Sequence, residues 1–140
     1  MSRKPAGTDV AVLLVEDDKT IADLYTLGLG SKGYRVLVAS SGDQALKTMT
    51  TQHPDIVLLD QQLGGLNGLE VLARVTAEEP PGLTDIPVVI FSNWADDDLA
   101  RRGRQLGAVD CVLKADVTPS MVATLIPMWI ARWRRERPGN

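Results

Sequence analysis

Four short apolar runs each end on a chemically capable polar residue, and this recurrence limits the possible folds more than any other feature of the chain. Val10 to Val15 runs into Glu16-Asp17-Asp18, Ile56 to Leu59 into Asp60, Ile86 to Phe91 into Ser92, and Val109 to Leu113 into Lys114. Runs of this length, rich in β-branched residues and bounded by turn formers, read as strands buried on both faces. In an open parallel sheet, ligands bind beyond the carboxyl ends of the strands. The four endings are therefore expected to converge on one pocket of acids, a hydroxyl and a lysine. Asp60 stands out among them because the glycine-rich turn Gly64-Gly65-Leu66-Asn67-Gly68 follows it.

Amphipathic segments alternate with these runs. A helix is expected from about Asp18 to Ser31, with Leu24, Leu27 and Leu29 as its apolar positions, stopped by Gly30 to Gly33. Tyr34 to Ala39 reads as a further strand, and Ser41 or Asp43 as the cap of a helix carrying Ala45, Leu46 and Met49. Leu69, Val71, Leu72 and Val75 form a helical stripe that should stop near Pro80-Pro81. Pro87 is expected early in the next strand. Asp96-Asp97-Asp98 opens a helix that closes with Arg101, Arg102 and Arg104, an order that suits the helix dipole. Pro119 should occupy the first turn of a last helix reaching about Arg135. About five β/α units in succession imply an α/β fold with helices on both faces of a parallel sheet, since each crossover returns right-handed.

A chain of 140 residues, 44% of them hydrophobic, suits one compact domain. We expect that domain over residues 10–135, between a flexible N-terminus at 1–9 and a frayed end at 136–140. The net charge of -3 and pI near 5.1 argue against binding that rests on nucleic-acid phosphates. A single cysteine cannot form an intramolecular disulfide, and the first residues lack the apolar core of a secretory signal. With no apolar run of spanning length, the chain reads as cytoplasmic, without a membrane or nucleic-acid partner. His53, beside Pro54, reads as a surface residue.

Clustered carboxylates repel one another, and oxygen ligands at strand ends suit a hard divalent ion such as Mg²⁺ (or Mn²⁺). A carboxylate that shares such an ion with a phosphoryl group can attack phosphorus and form an acyl phosphate. Asp60 is placed for that attack, Lys114 for an ion pair with a phosphoryl oxygen, and the Ser92 hydroxyl for a hydrogen bond to another.

From Val10 to about Trp133 the chain resembles the receiver domain of two-component response regulators. The resemblance rests on the order and spacing of Glu16-Asp17, Asp60, Ser92 and Lys114 within their apolar runs. It implies a doubly wound, flavodoxin-like (βα)5 fold with strand order 2-1-3-4-5. It further implies phosphoryl transfer to Asp60 from a sensor histidine kinase or phosphotransfer protein, and then recognition by a downstream protein. By the same resemblance, Asp17, Asp60 and the Gln62 main-chain carbonyl would hold the metal, with Glu16 acting through water. The expected form is a stand-alone receiver, not an enzyme beyond its own phosphotransfer and autodephosphorylation.

Several positions depart from the family pattern. Cys111 stands where an aromatic ring usually couples phosphorylation to output, and it reads as a small buried residue. Ala115 replaces the proline after the lysine; a non-proline cis bond costs about 2.5–4 kcal/mol, so a trans bond or a strained loop is expected. Gly64 and Asn67 replace a proline and an aspartate and are expected to loosen the turn. Gln62 and Trp94 flank the path of the hydrolytic water in the family, and Trp94 is expected to slow loss of the phosphoryl group.

In the last helix, Met121, Leu125, Trp129 and Trp133 recur every four residues beside Val122, Ile126 and Ile130, a wide apolar face. Pro127 should remove one hydrogen bond and kink it, while Trp133 could join an association surface. Asp96 to Asp98 and the run Arg132, Arg134, Arg135 and Arg137 together suggest a homodimer through the fourth and fifth helices. Two other functions compete. One is a pseudo-receiver that is never phosphorylated and acts by interaction alone. The other is a phosphatase of the haloacid-dehalogenase type, which would need its nucleophile after the first strand and an acid where Gln62 stands.

Overall fold

The computed structural model describes residues 9–136; of the expected terminal segments, residues 1–8 and Arg137 to Asn140 lie outside it. The chain runs β1 (Ala11–Val15), α1 (Lys19–Gly30), β2 (Arg35–Ala39), α2 (Gly42–Gln52), β3 (Ile56–Asp60), α3 (Gly68–Thr76), β4 (Val88–Ser92), α4 (Asp97–Gln105), β5 (Asp110–Leu113) and α5 (Pro119–Glu136). All strand pairs are parallel, in the order β2-β1-β3-β4-β5. Every residue of β1, β3 and β4 is buried, because helices cover both faces of these central strands.

The two faces carry separate cores. Leu13, Val15, Val57, Leu59 and Ile90 pack with Leu46, Met49, Val71, Leu72 and Leu99 on one face. Val12, Leu14, Leu58, Val89 and Phe91 pack with Ala22, Leu29, Val122, Ile126 and Trp129 on the other. Each such leucine, isoleucine or valine contributes roughly 1.5–3 kcal/mol by leaving water. The alternation also fixes the direction of the strand ends, since Glu16 and Asp60 follow the second set by two residues.

The helices start where the sequence predicts. Asp18, Ser41 and Asp96 cap α1, α2 and α4, their side chains accepting from the amides of Ile21, of Gln44, and of Asp98 and Leu99. Asn67 does not loosen its turn: its side chain accepts from the Glu70 amide while the Glu70 carboxylate accepts from the Asn67 amide. This reciprocal pair satisfies two donors that a helix start leaves free.

Other expectations need correction. In α1, Leu24 is 57% and Leu27 74% exposed, and the core positions are Ala22 and Leu29. The stripe that was to reach Pro80 stops at Thr76. Pro87 precedes β4, where its carbonyl still accepts from the Val57 amide at 2.9 Å. In α5 the buried row is Val122, Ile126 and Trp129, while Met121 is exposed and Trp133 packs half-buried against the second core. Cys111 is half-buried against the first core rather than fully enclosed. As expected, Lys114–Ala115 is trans, the single cis peptide bond among the described residues being Glu79–Pro80, and a short 3-10 turn spans Lys114–Asp116.

Candidate functional site

Among the described residues, the buried polar side chains are Glu16, Asp60 and Ser92, at 5%, 3% and 2% exposure. Each closes or follows a different strand at the same end of the sheet. Glu16 is held just past β1 by its amide, which donates to the Ala39 carbonyl at 2.9 Å. Asp60 ends β3 and stands in register with Phe91, so Ser92 lies one residue further along the adjoining strand. Lys114 follows β5.

Lys114 ties this cluster together. Its Nζ lies 2.9 Å from Asp60 Oδ2 and 3.2 Å from Glu16 Oε1. Burial would lower the lysine pKa, but the hydrogen bond and charge of Asp60, and then those of Glu16, leave it raised. Lys114 is therefore held as the cation. Burial raises the pKa of Glu16, and the charge of Asp60 adds to that; the Asp18 amide and Lys114 oppose it. Asp17 is exposed, yet Glu16, Asp17 and Asp60 each offer a carboxylate oxygen within 4.8 Å of the others. Three hard oxygen donors beside one another fit a hard divalent cation.

The free oxygen and the surrounding loops are also fixed. Asp60 Oδ1 accepts from the Gln62 amide at 3.0 Å. The Ser92 hydroxyl donates to the Trp94 carbonyl at 2.9 Å and accepts from the Trp94 amide at 3.2 Å. Gln62 Oε1 accepts from the Asn93 amide at 3.2 Å, linking the loop after β3 to the loop after β4. Trp94 is 65% exposed.

Sequence reasoning missed three supports. Gln61 Oε1 accepts from the Leu69 amide at 2.8 Å, and its backbone bonds to Phe91 and Gly68. A Cβ on Gly68 would lie 2.9 Å from the Asp60 carbonyl, so glycine lets α3 start against the end of β3. Tyr25, Phe91 and Trp129 stack edge to face, with centroids 6.4 and 6.2 Å apart, beneath the cluster. The Trp129 indole donates to Asp110 Oδ2 at 3.0 Å. Only the apolar character of these rings was visible in the sequence.

Some of the charged groups expected at a dimer contact have partners within the chain. Asp98 pairs with Arg101 and Arg102, Asp110 with Arg132, and Asp96 caps α4. His53 Nε2 meets Asp85 Oδ1 at 3.2 Å on the surface. No described helix is long and apolar enough to cross a membrane.

Comparison with known proteins places this geometry in context. The family profile described as "Response regulator receiver domain" matches residues 12–125. The transcriptional regulatory protein AfsQ1 of Streptomyces coelicolor is 35% identical over 104 residues, 74% of this chain and 44% of AfsQ1. The phosphate regulon transcriptional regulatory protein PhoB of Pseudomonas aeruginosa is 32% identical over 130 residues, 92% of this chain and 54% of PhoB. The chain thus spans about half the length of these curated relatives. The BeF3-activated N-terminal receiver domain of Klebsiella pneumoniae RstA superposes with a TM-score of 0.74 at 26% identity, covering 86% of this chain and 97% of that one. A CheY-like receiver from Methanospirillum hungatei, 22% identical with a TM-score of 0.79 over 93% of this chain and all of its own, shares the fold.

Proposed function

The chain belongs to the response regulator receiver domain family, and from that premise we propose that Asp60 accepts a phosphoryl group from a histidine kinase or phosphotransfer protein. The observation that carries this reading is the pair of buried carboxylates, Glu16 and Asp60, bridged by the partly buried Lys114, so that one cation serves both. Such a cluster is costly to bury for stability alone. An Oδ of Asp60 would attack phosphorus as the bond from phosphorus to the donor imidazole nitrogen breaks, and the imidazole leaves with the bonding pair. Lys114 would follow the charge from the carboxylate to a phosphoryl oxygen.

Glu16, Asp17 and Asp60, with the Gln62 carbonyl, would hold Mg²⁺ or Mn²⁺. The bound ion supplies positive charge that offsets repulsion between the carboxylates and the incoming phosphoryl group. Ser92 would exchange its hydrogen bond to the Trp94 carbonyl for one to the phosphoryl group, releasing the Asn93-Trp94 loop. Cys111 is too small to repeat the swing of an aromatic ring, so we place the readout in that loop. Gln62 bonds to this loop and is not the acid a haloacid-dehalogenase phosphatase needs.

The proposed output is a changed receiver surface that a downstream protein reads, with the cytoplasm as its setting. A second copy is one such partner. With Asp98, Arg101, Arg102 and Arg132 paired within the chain, dimerisation should appear only after phosphorylation; light scattering that shows the same mass before and after would count against it. The phosphoacceptor reading itself is tested by adding Mg²⁺ and beryllofluoride and following amide NMR shifts. Changes centred on Asp60, Ser92 and Trp94 support it, and an unchanged spectrum favours an interaction-only receiver.

A further inference from the structure

A cavity of about 280 Å³ opens beside Asp60, between α1 and the loop from Lys114 into α5. Ile21, Leu24, Tyr25, Phe91, Val117 and Pro119 supply apolar walls, and Glu16, Asp60 and Lys114 form the polar end. We propose that this cavity binds a small primary amine with an aromatic or branched apolar body, its ammonium group on Glu16 and Asp60 and its body between α1 and Pro119.

Shape and charge both point to that class. A Cβ on Gly28 would lie 2.5 Å from the Pro119 Cβ, so glycine lets α1 and the start of α5 meet there. One turn earlier on the same helix face, Leu24 stands beside the opening with more than half its surface in water. An apolar body seated there covers that leucine and lies against the rings of Tyr25 and Phe91. At the polar end, the buried carboxylates of Glu16 and Asp60 face one lysine with exposed Asp17 beside them, which leaves negative charge in excess. An ammonium offsets it, whereas a carboxylate ligand would confront two buried acids. Glu16 and Asp60 keep lone pairs beyond those they use within the chain. The amine and a divalent ion would compete for these two carboxylates, and Asp60 would be covered while the amine is bound.

Amide NMR titration of the metal-free full chain tests this without relying on phosphorylation at Asp60. Phenethylamine is expected to bind about tenfold more tightly than methylamine, the effect of burying roughly 60 Å² of apolar surface. It should also bind more tightly than phenylacetate, shifting Tyr25, Phe91 and Val117. Added Mg²⁺ should weaken it. Leu24→Asn, an exposed change, should weaken phenethylamine about threefold and leave methylamine unaffected. Equal affinity for methylamine would show that the cavity is unused, and equal or tighter binding of phenylacetate would show that the charge assignment is wrong. Either result, or no shifts with phenethylamine, overturns the proposal. Titration with Mg²⁺ alone reports on the metal site separately.

Discussion

Lys114 Nζ stands 2.9 Å from Asp60 Oδ2, and both side chains are largely withdrawn from water. Removing the cation would leave Asp60 and Glu16 facing each other without compensation. Lys114→Met is therefore expected to cost about 3 kcal/mol of stability in the absence of divalent ions, measured by urea unfolding. The loss should shrink when Mg²⁺ is present, because a bound ion stabilises the folded state that holds it. A loss of under about 1 kcal/mol without metal would contradict the ion-pair assignment.

Trp94 projects from a loop that Ser92 and Gln62 pin at the mouth of the site. If its indole shields the acyl phosphate, Trp94→Ala should speed autodephosphorylation several-fold without altering the fold, since the side chain is mostly in water. The decay of phosphorylated protein after removal of the donor measures this. An unchanged rate would reduce Trp94 to a surface cover.

Burial raises the pKa of the Cys111 thiol, with the Asp110 charge acting in the same direction. The thiolate is the reactive form, so alkylation by iodoacetamide at pH 8 should run more slowly in the folded protein than in urea. Between the unfolded and folded pKa values the unfolded chain has lost the proton and the folded chain has not. Stability is therefore lost as pH climbs through that alkaline window, and Cys111→Ser should lessen the loss. Equal alkylation rates in folded and unfolded protein would contradict the assigned environment.

Asp60, Ser92 and Lys114 were legible because each follows an apolar run, and a parallel sheet brings all such endings to one edge. The cap Ser41 and the helix starts near Asp18 and Asp96 were legible for a similar reason, as a local hydrogen bond decides each. Leu24 and Leu27 were misjudged because periodicity marks an apolar position without showing whether another element covers it. In α5, Met121 shares a four-residue spacing with buried Trp129, but at 3.6 residues per turn the eight residues between them rotate the two about 80° apart around the helix. Gln61, Gly68 and the stack of Tyr25, Phe91 and Trp129 depend on contacts between distant segments, which no local pattern encodes. Asn67 was read through its usual replacement, although its short amide side chain and Glu70 three residues later spell a capping box.

Intact-protein mass after incubation with acetyl phosphate and Mg²⁺, for the wild type beside Asp60→Asn, tests the central claim most directly. Our account predicts one phosphoryl adduct on the wild type and none on the variant. An adduct on both proteins would move the acceptor away from Asp60, and an adduct on neither, with no response to beryllofluoride, would mean that this receiver acts without phosphorylation.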